Sequence, residues 1–305
     1  MGTPQAAVPS LERCLSDGHE IVAVYTQPDR PSGRGNKITF SPVKATALGH
    51  NLAVFQPAKI RNAEALECFR GHAADVAVVV AYGRILPEPF LSAFSKGAIN
   101  VHFSLLPHYR GAAPVNWAIV NGEAETGVTT MNMDEGLDTG DILLQDRTEI
   151  GPAETSVELV SRLAISGAEL LSKTLRDYDL IVPRKQDHST SCLAPIMKRE
   201  DGRIDWQMTA KQIFDRIRGF QPFPAAHTLF RGQRLTIWKA SLGPAVEGNQ
   251  RPGEIIGGHA SELTIIAGDG HLLKIDELQP EGKRRMLSRD FINGFSPRVG
   301  EILGS

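Results

Sequence analysis

Residues 75–81, DVAVVVA, form a short run in which apolar side chains follow one another without a polar alternate. A strand with one face in water alternates apolar and polar residues, whereas a strand covered on both faces does not. Residues 21–24, inside EIVAVYT at 20–26, have the same texture. Working outward, further strand patterns at 98–102 (AINVH), 127–133 (GVTTMNM) and 141–145 (DILLQ) alternate with helical patterns. This predicts an α/β fold whose sheet is parallel rather than antiparallel.

The rest of the chain supplies a second domain. Between Glu154 and Asp177 apolar residues recur at helical spacing, with Thr155 as the candidate cap, and this helix closes the first domain. Residues 183–202 mix Pro, Lys, Ser, Asp and Gly without period, the composition of a linker. Beyond it come a helix around 209–219 and short strands at 227–230, 235–240, 253–256, 262–266 and 272–276, then a short helix at 288–295. Several short strands at this spacing predict a small barrel. The expected domains are therefore 1–182, a linker at 183–202, and 203–305.

Composition narrows the function classes. A formal net charge of −2 over 305 residues excludes binding to nucleic acid by general electrostatics, so any such partner must meet a local basic patch. From Arg203 onward there are 14 Lys and Arg against 11 Asp and Glu, a net of +3, against −5 for residues 1–202. Cys14, Cys68 and Cys192 match neither a disulfide framework nor a paired metal-ligand pattern, and no apolar run approaches the roughly 18 residues of a spanning helix. The expectation is a cytoplasmic protein without a metal.

Chemistry concentrates at 97–114, GAINVHFSLLPHYRGAAP. Asn100 and His102 lie two apart on a strand and so face the same way, just before a Pro/Gly-rich loop at the carboxyl end of the sheet, where open α/β folds bind ligands. Asp138 arrives in GLDTGD, a turn ahead of another strand. Converging, the three would form an acyl-transfer site without a nucleophilic Ser or Cys: an amide N–H and an imidazolium N–H stabilise an oxyanion, and a carboxylate orients the imidazole. By spacing alone, an Asn-x-His strand is more often structural than catalytic, and an Asp-Thr-Gly-Asp turn is usually just a turn.

The run NVHFSLLPHYRGAAP, with LDTGD at 137–141 downstream, resembles the folate-dependent formyltransferases. The likeness extends through GTP at 2–4, TQPDRPSGRGNKITFSPVK at 26–44, AVVVAYGRILP at 77–87, RIDW at 203–206 and IWKA at 237–240, nearly the whole chain. Within the family it is closest in pattern to members that formylate the methionine of a charged initiator tRNA. The resemblance implies a Rossmann-like catalytic domain joined to a C-terminal OB-like β-barrel that binds tRNA. It implies Asn100, His102 and Asp138 as the catalytic trio, with Ser104, Leu105, Leu106 and Pro107 at the folate. It further implies 10-formyltetrahydrofolate as co-substrate and methionyl-initiator tRNA as partner, reached by the basic loop carrying Arg30, Arg34 and Lys37. A monomer is expected.

Lys283, Arg284 and Arg285 are a second candidate phosphate contact or a surface turn. Departures from the family pattern are Ala6 and Phe103, and above all the start. GTP at 2–4 opens a helix with no strand before it, although such a turn normally follows a buried strand. The first strand is apparently missing, and the expectation is that Met1 is an internal methionine of a longer natural protein. Mass spectrometry of the native protein finding Met1 at its N-terminus would sink that idea.

Overall fold

The structure, a computed structural model, describes residues 1–32, 37–257 and 262–304. The chain divides into two compact units, one of residues 1–114, 125–149 and 159–195, the other of residues 115–124, 150–158 and 196–305.

The first unit contains α1 (Val8–Ser16), β1 (Val24–Tyr25), β2 (Arg30–Ser32), β3 (Lys37–Thr39), α2 (Pro42–Gly49), β4 (Val54–Phe55), α3 (Ala63–Arg70), β5 (Ala77–Val79), α4 (Glu88–Leu91) and β6 (Ala98–His102). After α5 (Pro114–Val120), most of which falls in the second unit, come β7 (Glu125–Asn132), β8 (Ile142–Glu149) and α6 (Ser156–Arg176). Strands run in the order β5-β6-β7-β8, and β1 pairs with β4. All five residues of β6 are buried, as its central place requires. Thr155 caps α6 through a reciprocal box: its backbone N–H donates to Glu158 at 2.8 Å, and Glu158 N–H donates back to its hydroxyl at 3.4 Å.

The sheet is Rossmann-like: the runs at 21–24 and 77–81 lie in parallel pairs, as expected, and the strands beyond β6 add an antiparallel edge. β1–β4 and β5–β6 are parallel, whereas β6–β7 and β7–β8 are antiparallel. Residues 133–141 are too few for the crossover that a parallel neighbour needs, so β7 and β8 form a hairpin.

At the place where a strand is expected before Gly2, Met1 and Gly2 themselves sit between β1 and β5. Gly2 N–H donates to Tyr25 O at 2.9 Å, Val80 N–H donates to Met1 O at 2.9 Å, and the Met1 amine donates to Val78 O at 2.6 Å. Gly2 bridges Val80 in parallel. Next to this stitch lies a cavity of about 410 Å³, lined by Met1, Ile21, Val22, Ala23, Val76 and Val78 among others. Residues 20–26 accordingly form a strand only at Val24–Tyr25, because the backbone ahead of Val24 borders the cavity and not a partner strand.

The second unit holds α7 (Ala210–Gly219), β9 (His227–Phe230), β10 (Gln233–Ala245), β11 (Ile255–Gly257), β12 (Leu263–Ile266), β13 (His271–Pro280), β14 (Met286–Leu287) and α8 (Ser288–Phe295). An antiparallel sheet, β11-β12-β13-β10-β9 with β14 on β13, curls around Ile213, Leu235, Ile237, Ile265 and Phe291. Residues 300–304 draw the open edges together: Leu303 N–H donates to Gly253 O and Gly304 N–H to Leu229 O, both at 2.8 Å. Asp215 and Arg218, buried on α7, pair at 2.8 Å, and Arg218 also donates to the carbonyls of Gly151 and Glu154.

The residues expected to be a linker are partly built into the first unit, which runs to Pro195. Arg184 exchanges both backbone hydrogen bonds with Ile142, and Arg110 exchanges bonds with Cys192 and Ala194. An aperiodic composition hides such pairing, because isolated bridges need no repeating pattern.

Candidate active site

β6 places Asn100 and His102 on one face, 8% and 6% exposed. The turn between β7 and β8 brings Asp138 to them. That turn is shaped by Asp134, whose Oδ1 accepts from Gly136 N–H at 3.1 Å and from the Thr139 hydroxyl at 2.7 Å. It is also shaped by Gly140, where a Cβ would stand 1.8 Å from Asn132 O. Asp138 itself adopts φ +53°, a left-handed backbone that non-glycine residues seldom take.

The Asp138 carboxylate gathers three groups. Gly111 N–H donates to Oδ2 at 2.8 Å, the Asn100 amide approaches Oδ1 at 3.4 Å, and His102 Nδ1 lies 3.7 Å from Oδ2. The other ring nitrogen, Nε2, is 2.9 Å from Tyr109 O. A carbonyl oxygen can only accept, so Nε2 carries a proton in either charge state, and Nδ1 is the nitrogen that gains or loses one. A proton there faces a carboxylate. The arrangement can therefore donate hydrogen bonds to a developing oxyanion and exchange a proton, and none of its three side chains is a Ser or Cys nucleophile.

The segment at 104–107 is drawn inward. Ser104 is fully buried and its hydroxyl donates to His108 O at 2.6 Å, while Leu106 is buried with its carbonyl accepting from Gln145 at 2.9 Å. Leu105 and Pro107 are half-buried. In the basic loop, Arg30 is exposed at the start of β2, and Lys37 pairs with Ser32 across the β2–β3 hairpin. Arg34 lies outside the described residues. At the foot of this hairpin Asp29 accepts from Lys44 and, at 2.9 Å, from Gln56, which together hold its carboxyl below the usual range. The cavity near Met1 is elsewhere: none of Asn100, His102 and Asp138 lines it.

Several contributors leave no mark in the sequence. Gly111 takes φ +117° and a Cβ there would meet Ala194 O at 2.8 Å, which explains the glycine in RGAAP and the direction of its N–H. Arg110 and Gln186, both 6% exposed, underlie the turn. Two buried polar side chains in a loop and a linker carry no periodic signal.

Two families match the chain: Formyl transferase over residues 1–175, and Formyl transferase, C-terminal domain, over residues 196–296. The chain is 50% identical over 306 residues to a methionyl-tRNA formyltransferase of Solibacter usitatus, covering 100% of this chain and 97% of that one. Its identity to a methionyl-tRNA formyltransferase of Alkaliphilus oremlandii is 47%, covering 100% and 98%. Among solved structures, an N-formyltransferase from Helicobacter canadensis in complex with folinic acid and dTDP-3-aminofucose shares the fold. Its TM-score is 0.68 at 22% identity, over 92% of this chain and 97% of that one. A full-length match at half identity, carried by both domains, is far beyond what fold alone produces, and the chain belongs to the formyl transferase family alongside the methionyl-tRNA formyltransferases.

Proposed function

We propose that this formyltransferase moves the formyl group of 10-formyltetrahydrofolate to the α-amino group of methionyl-initiator tRNA, as a monomer in the cytoplasm. The amine nitrogen attacks the formyl carbon, and the carbonyl π electrons move to oxygen. The Asn100 amide stabilises that oxyanion by hydrogen bonding, joined by His102 Nδ1 once it carries a proton, since Nε2–H is held by Tyr109 O. On collapse the bond from carbon to the folate nitrogen breaks. The amine gives up a proton and the folate nitrogen gains one, with His102 Nδ1 as the carrier and Asp138 steadying its charged form.

The observation that carries this is the gathering of Gly111 N–H, the Asn100 amide and His102 Nδ1 on one carboxylate. Folate contacts at 104–107 fall to the backbone and to Leu105 and Pro107, since the Ser104 hydroxyl and the Leu106 side chain are engaged inside. Arg30, Arg34 and Lys37 are assigned to tRNA phosphates, with the unit at 203–305 supplying a second surface. The test is a transfer assay with 10-formyltetrahydrofolate and methionyl-tRNA, free methionine or an amino-sugar nucleotide as acceptor. Formylation of methionyl-tRNA alone is the expected result. Transfer to a small amine in preference would overturn the acceptor assignment.

A further inference from the structure

The geometry points to Gln186 and Arg110 as positioning residues that hold the Asp138 turn in register with His102, an inference that rests on the catalytic reading of the trio. The Gln186 amide nitrogen donates to Asp138 O at 2.9 Å and to Gly140 O at 2.7 Å, so both its protons clamp the turn. Its oxygen accepts from Arg110 Nε at 3.0 Å and from a terminal guanidinium nitrogen at 2.6 Å. The same terminal nitrogen lies 3.1 Å from His188 Nδ1.

Arg110 closes the circuit through its backbone. It stands between Tyr109, whose carbonyl holds His102, and Gly111, whose N–H holds Asp138. Its own N–H donates to Cys192 O at 2.9 Å, and its carbonyl accepts from Ala194 N–H at 2.7 Å. Residues 186–194 therefore strap two loops together: the one that fixes the imidazole and the one that presents the carboxylate. A buried guanidinium served by a neutral amide and an imidazole is an expensive way to fill space, since desolvating its charge is offset by no carboxylate in that pair. What it gains is direction. Arg110 polarises the Gln186 amide and fixes which end of it faces the turn, so that two donors, and no acceptor, meet Asp138 O and Gly140 O. The left-handed backbone at Asp138, unfavourable by itself, is stabilised by that clamp.

Gln186→Glu separates positioning from scaffolding. A carboxylate at 186 pairs more strongly with Arg110 and keeps the strap, yet it has no proton for the two turn carbonyls. The expected result is a cooperatively folded protein with kcat lowered about tenfold or more, and KM for methionyl-tRNA within about twofold of the parent. In the Asp138→Ala background the same change has no further effect on kcat, because Gln186 acts through Asp138. Wild-type kcat in folded Gln186→Glu would overturn the inference, as would a kcat loss that persists undiminished without Asp138. If Gln186→Glu fails to fold, Gln186→Asn keeps both amide ends one methylene short, and the same kcat loss and the same dependence on Asp138 are required of it. Asp138→Ala measured alone distinguishes the two levels. Unimpaired turnover there would sink the catalytic trio, whereas an impaired Asp138→Ala beside a fully active Gln186→Glu would sink only the clamp.

Discussion

His102 is held at both ends by groups of different kinds, a carbonyl on Nε2 and a carboxylate facing Nδ1. Replacing it with Ala removes the trio's imidazole and with it the proton carrier. The expected outcome for His102→Ala is a fall in turnover of roughly two orders of magnitude or more, with tRNA binding and the circular dichroism spectrum near those of the parent. Full activity would refute the role. Gly140 tests the turn from the opposite direction, since a Cβ there falls within bonding distance of Asn132 O. Gly140→Ala is expected to displace Asp138 and lower kcat by about tenfold or more while adding no charge and removing no catalytic group; a crystal structure of the variant with Asp138 unmoved would contradict this. At this scale the sequence is legible where a rule connects near neighbours. Asn100 and His102 share a face because strands alternate. Gln186 is not legible, because its partners stand 48 and 46 residues away in sequence and only folding brings them together.

Elements are readable in proportion to their local signals. The long helix α6 declares itself by apolar spacing and a Thr-x-x-Glu start, and α7 by a cap at Thr209 that pairs reciprocally with Gln212. The pattern predicts β10 only at 235–240, yet it runs from Gln233 to Ala245, because shifts in its pairing with β13 let the ladder continue past Gly243 and Pro244. On α7, Asp215 lies 2% exposed between Lys211 at 2.5 Å and Arg218 at 2.8 Å, and Arg218 also serves two carbonyls ahead of α6. Arg218→Met leaves that carboxylate with the half-exposed lysine and takes a charged donor from each of the two carbonyls. The expected loss is about 3 kcal/mol in urea unfolding. A loss below about 1 kcal/mol would mean that Lys211 suffices.

At the scale of the whole chain as it starts at Met1, the amine at the sheet centre sets a pH dependence. Burial of the Met1 amine lowers its pKa from 8.0 to about 6. The unfolded chain, with the ordinary value, binds more proton between these limits, so stability rises as pH climbs from about 6 to about 8 and is flat in this respect outside that window. The fall from 8.0 to about 6 corresponds to at most about 3 kcal/mol. Denaturation midpoints at pH 6, 7 and 8 should climb, and acetylating Met1 should abolish that part of the slope; a climb unaffected by acetylation would assign it elsewhere.

The strap at 186–194 also orders events in time. A chain made from its N-terminus presents Asn100, His102 and Asp138 well before the residues that clamp them, and at roughly 5–20 residues per second the delay from Asp138 to Ala194 is several seconds. During that interval nascent chains have every catalytic side chain but no Gln186 donors on the turn and no Ala194 N–H on Arg110. Ribosome-stalled chains of graded length would therefore acquire formyl-transfer competence only after the strap has cleared the exit tunnel, so that catalytic competence is written by synthesis order as well as by composition.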